Sequence, residues 1–119
     1  MVDLHLHSLH SDGSDAPAAI VAKEGVTPEM ARTNIDIGGP CMVRASAKNY
    51  LRVASVTDPA DYPAIVSELR VNGGTLGLET RFRLMRKAFA HTAGYDRAIA
   101  DYFAAQTENA IRATYRTVG

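Results

Sequence analysis

The stretch VDLHLHSLHSDG near the start gathers side chains suited to holding a metal ion: His5, His7 and His10, then Asp12 and Asp15. Val2, Leu4 and Leu6 alternate with Asp3, His5 and His7, a period-two pattern that predicts a strand over residues 2–7. On a strand His5 and His7 point to one face, and Asp12 can return toward them from the loop at Asp12-Gly13. Imidazole nitrogens and a carboxylate oxygen are ligands that zinc accepts. A multinuclear hydrolytic centre needs more of them, and the only later histidine is His91. The competing reading is a plain strand with exposed imidazoles.

The elements that must position these residues read as an α/β pattern. After the first strand and loop, residues 16–23 suit a short helix that stops at Gly25. Thr27, Pro28 and Glu29 are an N-cap, a first-turn proline and an acid at the positive end of the dipole. A second start signal stands at Gly39-Pro40, and Lys48 and Asn49 close that helix. RVASVT (52–57) is the best strand in the chain, and Asp58-Pro59 begins the next helix. On it Tyr62, Ile65, Val66 and Leu69 share one face, and Asn72-Gly73-Gly74 ends it. From Leu78 onward the pattern is helical, with a stripe of Leu78, Phe82, Met85, Phe89 and Ala93. Gly94 is a candidate break, Ile99, Tyr102 and Phe103 continue the apolar face, and TENAIRATYRTVG reads as a frayed or partner-supported end. Two strands make a poor sheet alone. The sheet is therefore expected to pair across a dimer or to belong to a larger unit.

Bulk properties narrow the class. The chain has 119 residues, 46% apolar and 22% charged, with thirteen basic side chains balancing thirteen acidic ones. That is one ordinary domain or a large piece of one, without the charge excess of a nucleic-acid binder. No window approaches a membrane span, no leader is evident, and Cys41 is the only cysteine. The expected location is the cytoplasm.

Motifs then carry a family resemblance. IDIGGP, RASAKN, DPADY, LETRFRL, KAFAHTAGYD and IADYF stand in order, and the stretch from about residue 20 to 105 resembles the IMP cyclohydrolase domain of the bifunctional AICAR transformylase/IMP cyclohydrolase family. The resemblance implies part of a three-layer fold like that of methylglyoxal synthase, with a small parallel sheet and a helical C-terminal half. It implies closure of formyl-AICAR to IMP with loss of water, a reaction that needs no metal or redox cofactor. Carried over residue by residue, Asp36 and Lys48 are the family's polar pair beside the base. Lys48 would meet the developing oxyanion or departing oxygen, and Asp36 would orient the carboxamide or take its proton. Ile37, Gly38 and Gly39 would offer main-chain N–H groups to the nucleotide, and Asn49 is a further binding candidate. The family's serine- and lysine-containing phosphate segment, its KTLHP-like loop and its NLYPF tyrosine do not stand in this sequence. A complete pocket would need a complementing chain, and a homodimer is the other expected assembly.

Residues 2–25 resemble something else: the first motif of the PHP metal-dependent phosphoesterases, a His-x-His strand followed by a Ser-Asp-Gly loop. That resemblance implies zinc or manganese on His5, His7 and Asp12 and divides the chain into a PHP-like segment, 1–25, and a cyclohydrolase-like one, 26–119. A looser alignment sets VDLHLHSLHS in place of the cyclohydrolase family's IDLVVVNLYP strand, with Ser8 for its asparagine and His10 for its tyrosine. Both give a first strand and differ in chemistry.

Plainer roles stand beside these. Asp36, taken alone, reads as a helix cap. Lys48 near a helix C-terminus is favourable with the dipole whatever its function. Arg44 reads as a local salt-bridge former, and Arg81, Arg83, Arg86 and Lys87 as a solvated face. His91 reads as packed and hydrogen-bonded, and Cys41 as a small buried residue near a helix start. The functional readings are thus a cyclohydrolase-like enzyme or remnant, a metal-binding module, and a non-catalytic dimerising fragment.

Overall fold

The computed structural model describes residues 3–6 and 25–118. Its elements are β1 (Asp3–Leu6), α1 (Pro28–Thr33), α2 (Gly38–Lys48), β2 (Val53–Val56), a 3-10 turn (Pro59–Asp61), α3 (Tyr62–Val71), α4 (Leu78–Ala104) and α5 (Glu108–Val118). The helix expected over 16–23 lies outside the described residues.

β1 and β2 pair in parallel, with Asp3 opposite Val53, Leu4 opposite Ala54, His5 opposite Ser55 and Leu6 opposite Val56. The small parallel sheet expected from the sequence is present, with two strands among the described residues. Because β1 belongs to the segment 1–25 and β2 to the segment 26–119, one sheet spans the two expected domains.

β2 is covered on both faces. Alternate residues of a strand point to opposite sides. Ala54 and Val56 join Ile65 of α3, Leu76, and Leu84 of α4 in one apolar cluster, with Tyr62 and Leu69 packed against it. Ser55 is buried, and its hydroxyl pairs with that of Ser46 on α2 at 2.6 Å. Burying a hydroxyl in this core is tolerable because that bond satisfies it. A second cluster joins Val43 and Ala47 of α2 to Ala88 of α4, with Met85 and Phe89 beside them.

The start signals act as their chemistry dictates. Thr27 caps α1, its Oγ1 accepting from Met30 N–H at 3.2 Å. Asp58 Oδ1 accepts from Ala60 N–H at 3.0 Å and opens the turn before α3. After α3 the chain reverses through Gly73 (φ +68) and Gly74 (φ +93), the left-handed region that glycine enters without steric cost. Gly74 N–H returns to the Leu69 carbonyl at 2.7 Å. The cap of α4 comes from outside that helix: Glu68 of α3 accepts from Gly77 N–H at 2.8 Å and from the Thr80 hydroxyl at 2.6 Å.

Four sequence expectations are corrected. The α4 stripe is core only in part: Leu84, Ala88, Thr92 and Tyr95 are buried and Met85 and Phe89 half-buried beside them, whereas Leu78 is 50% and Phe82 44% exposed and Ala93 is exposed. Two neighbouring rows of α4 are apolar, and in the inward one the small side chains of Ala88 and Thr92 permit close approach of neighbouring elements. Gly94 breaks nothing; α4 runs unbroken through it for 27 residues. Val66 lies off the buried face of α3. Cys41 is exposed, because the first turn of α2 faces outward there. The last stretch is helical (α5), as the pattern from Leu78 onward predicts, and α1 packs against it.

Candidate functional site

The IDIGGP segment forms the entry to α2. Asp36 Oδ1 accepts from Gly39 N–H at 2.9 Å, a carboxylate cap on a helix start. This contact explains Gly39, since a Cβ there would overlap Asp36 Oδ2, whereas a Cβ on Gly38 would meet open space. The Asp36 N–H in turn donates to the Tyr95 hydroxyl at 2.7 Å, across 59 positions of sequence. Tyr95 is only 6% exposed, so α4 pins this turn from below. Burial pushes the Tyr95 phenol above its usual proton affinity; the Asp36 N–H opposes this, and the negative charges of Asp36 and Asp96 add to it.

The predicted binding residues therefore divide. Gly39 N–H is already used by Asp36. Ile37 is 69% exposed, and the N–H groups of Ile37 and Gly38 have no hydrogen-bond partner among the described residues. Helix starts present such donors because the first turn has no preceding carbonyls to satisfy them. Lys48 is exposed at the far end of α2. An eleven-residue helix is about 16 Å long, so α2 stands between Asp36 and Lys48. The two side chains are therefore too far apart to share one proton directly. Asn49 ends α2: its N–H reaches Ser46 O at 3.1 Å, and its carbonyl accepts from Arg52 and Val53 N–H at 2.9 and 2.8 Å. Those main-chain bonds turn the chain into β2.

A charged network lies elsewhere, on the outer face of α4. Lys87 Nζ meets Asp61 at 2.6 Å and Asp58 at 3.2 Å, and Arg83 meets Asp61 at 3.3 Å. These acids hold the Lys87 ammonium above its usual value, Asp61 more than Asp58. The basic run expected to be merely solvated thus clamps α4 to the DPADY turn. Arg83, Arg86, Lys87 and Ala90 line an open cleft of about 410 Å³. Arg44 forms no ion pair among the described residues; its guanidinium stacks over Phe89 at 5.3 Å, a cation–π contact in place of the expected salt bridge. His91 is exposed rather than packed.

The metal reading rests on His5, His7 and Asp12. His7 and Asp12 lie outside the described residues, and His5 is described only through the pairing of β1. Among the described residues no group of three histidine, cysteine, aspartate or glutamate side chains could hold an ion. None of the helices described is long and apolar enough to cross a membrane.

Sequence reasoning missed Tyr95. It stands inside KAFAHTAGYD, but nothing local says that its hydroxyl reaches residue 36. A tyrosine in line with the small buried residues of α4 was the only available hint.

The family model described as AICARFT/IMPCHase bienzyme matches residues 46–118, and the chain belongs to that family. It is 53% identical over 97 residues to the bifunctional purine biosynthesis protein PurH of Neisseria meningitidis serogroup A, strain Z2491, covering 82% of this chain and 18% of that protein. To the PurH protein of Neisseria gonorrhoeae, strain NCCP11945, it is 54% identical over 94 residues, covering 79% and 18%. The crystal structure of ForH superposes with a TM-score of 0.67 at 31% identity, covering 86% of this chain and 50% of that one. The chain thus spans about 18% of the length of the curated relatives it matches.

Proposed function

We propose that this chain is the C-terminal half of an IMP cyclohydrolase-like domain acting in purine nucleotide synthesis. The observation that carries this reading is the IDIGGP turn, braced by its own carboxylate and by Tyr95, in a chain about half identical to PurH proteins. In the proposed reaction the carboxamide nitrogen of formyl-AICAR attacks the formyl carbon, and the carbinol oxygen leaves as water. Asp36 orients the carboxamide and takes its proton. Lys48, about 16 Å away at the other end of α2, meets the developing oxyanion and the departing oxygen from a second copy of the chain. The N–H groups of Ile37 and Gly38, with Asn49, complete this chain's share of the nucleotide contacts. No cofactor is required.

The other half of the pocket, on this reading, comes from a complementing chain or a second copy. Added strands would extend the two-stranded sheet into the three-layer architecture that the family resemblance implies. On this reading the protein works in the cytoplasm.

The test is incubation of the purified protein with formyl-AICAR, following IMP absorbance, alongside calorimetric titration with IMP. Turnover that falls at least a hundredfold in Lys48→Ala, the scale of one lost oxyanion contact, is the expected result for an active protein. IMP binding without turnover identifies a half-site. Absence of both turnover and IMP binding overturns the proposal.

A further inference from the structure

We infer that Tyr95 is a positioning residue for the nucleotide turn, acting through the main chain of Asp36. The inference rests on the reading of residues 36–39 as a nucleotide contact. Two bonds define that turn: Asp36 N–H to the Tyr95 hydroxyl at 2.7 Å and Gly39 N–H to the Asp36 carboxylate at 2.9 Å. The second is local to the turn. Among the described residues the first alone connects it to the body of the protein through a side chain, and that side chain is buried on the longest helix. Holding the Asp36 N–H fixes where residue 36 enters the helix, hence where its carboxylate sits and where the N–H groups of Ile37 and Gly38 aim.

The chemistry suits the task. A phenol both donates and accepts, so Tyr95 receives the Asp36 N–H and still has a proton to give. Phenylalanine would fill the same volume and leave the Asp36 N–H without its acceptor. Leucine, valine or alanine at residue 95 would add a cavity and obscure the effect. Tyr95→Phe is therefore the informative variant.

Hydrogen exchange is measured at the amides of Asp36, Gly39 and Ala88 in both proteins, and IMP titration is repeated on the variant. In Tyr95→Phe, exchange at Asp36 and Gly39 is expected to quicken roughly five- to tenfold, the scale of one hydrogen bond, with Ala88 unchanged. The IMP dissociation constant should rise by a similar factor. Unchanged exchange at Asp36 and Gly39 overturns the inference. Equal acceleration at Ala88 also overturns it, because Tyr95 would then be an ordinary core residue. If the unaltered protein fails to bind IMP, the proposed function falls, and the exchange contrast still decides whether Tyr95 holds the turn.

A measurement on the unaltered protein guards against a variant that fails to fold. The Asp36 amide nitrogen shift, read by carbon detection, should titrate with the Tyr95 ring carbon at one midpoint, above the usual tyrosine value. An Asp36 signal that ignores the ionisation of Tyr95 overturns the inference.

Discussion

Gly38 and Gly39 are adjacent and chemically identical, yet the structure gives them different work. A methyl group on Gly39 must displace the Asp36 carboxylate, while one on Gly38 enters open space inside a helix. Gly39→Ala should therefore cost about 1–2 kcal/mol, the worth of a lost cap. Gly38→Ala should be neutral or stabilise by up to about 1 kcal/mol, the helix preference of alanine over glycine. Urea titration of both variants checks the opposite signs. Glu68 permits a second residue-level prediction. The Gly77 N–H first, and then the Thr80 hydroxyl, hold its carboxyl below the usual range. A lowered folded-state value adds stability above the ordinary glutamate pKa of about 4.3 and loses it as pH falls through the folded value. Thermal melts from pH 6 to 3 should show that loss, and Glu68→Gln should flatten it. At this scale the sequence was partly legible. Asp36 read as a cap, and it is one. Tyr95 and Glu68 did not read as anchors, because each acts on a residue that only the folded chain brings near.

Helix α4 is where the sequence pattern misled. Its large apolar residues, Leu78, Phe82, Met85 and Phe89, recur at helical spacing, and spacing alone cannot say which of two adjoining apolar rows faces inward. The inward row carries Leu84, Ala88 and Thr92, and Leu84 is 1% exposed. Phe82 instead leans edge-on against Tyr50, with ring centres 5.6 Å apart. Leu84→Ala should therefore cost about 2–5 kcal/mol by opening a cavity between β2 and α3. Phe82→Ala should cost less than half as much, since much of its ring is already in water. Chemical denaturation of the two variants ranks them, and the reverse order would restore the larger residues as the core. The strand β2 and the boundaries of α1, α2 and α3 were legible, because caps, prolines and glycines announce them locally. The unbroken course of α4 through Gly94 was not, because neighbours on both sides sustain a helix that propensity alone would weaken.

Taken whole, the molecule is long and thin. Its radius of gyration is 17.9 Å, against about 13–14 Å for a compact chain of this length. Leu51, Leu78 and Phe82 are exposed apolar side chains. Such a shape suits a portion of a larger domain, in keeping with the small share of each PurH relative that it covers. The parallel pairing of β1 with β2 has a consequence in time. Residues 7–52 must close on themselves before Asp3–Leu6 meets Val53–Val56, and that closure is an entropic cost met before the strands gain anything. Distant pairings of this kind slow folding, whereas neighbouring helices assemble early. Stopped-flow refolding should accordingly show a fast helical phase by far-ultraviolet circular dichroism and a slower one in which β1 docks. Removing residues 1–24 should abolish the slow phase and spare the fast one; a single phase in the full chain would mean that strand and helices form together. Of these two strands, the one synthesised earlier would then be the later to find its place.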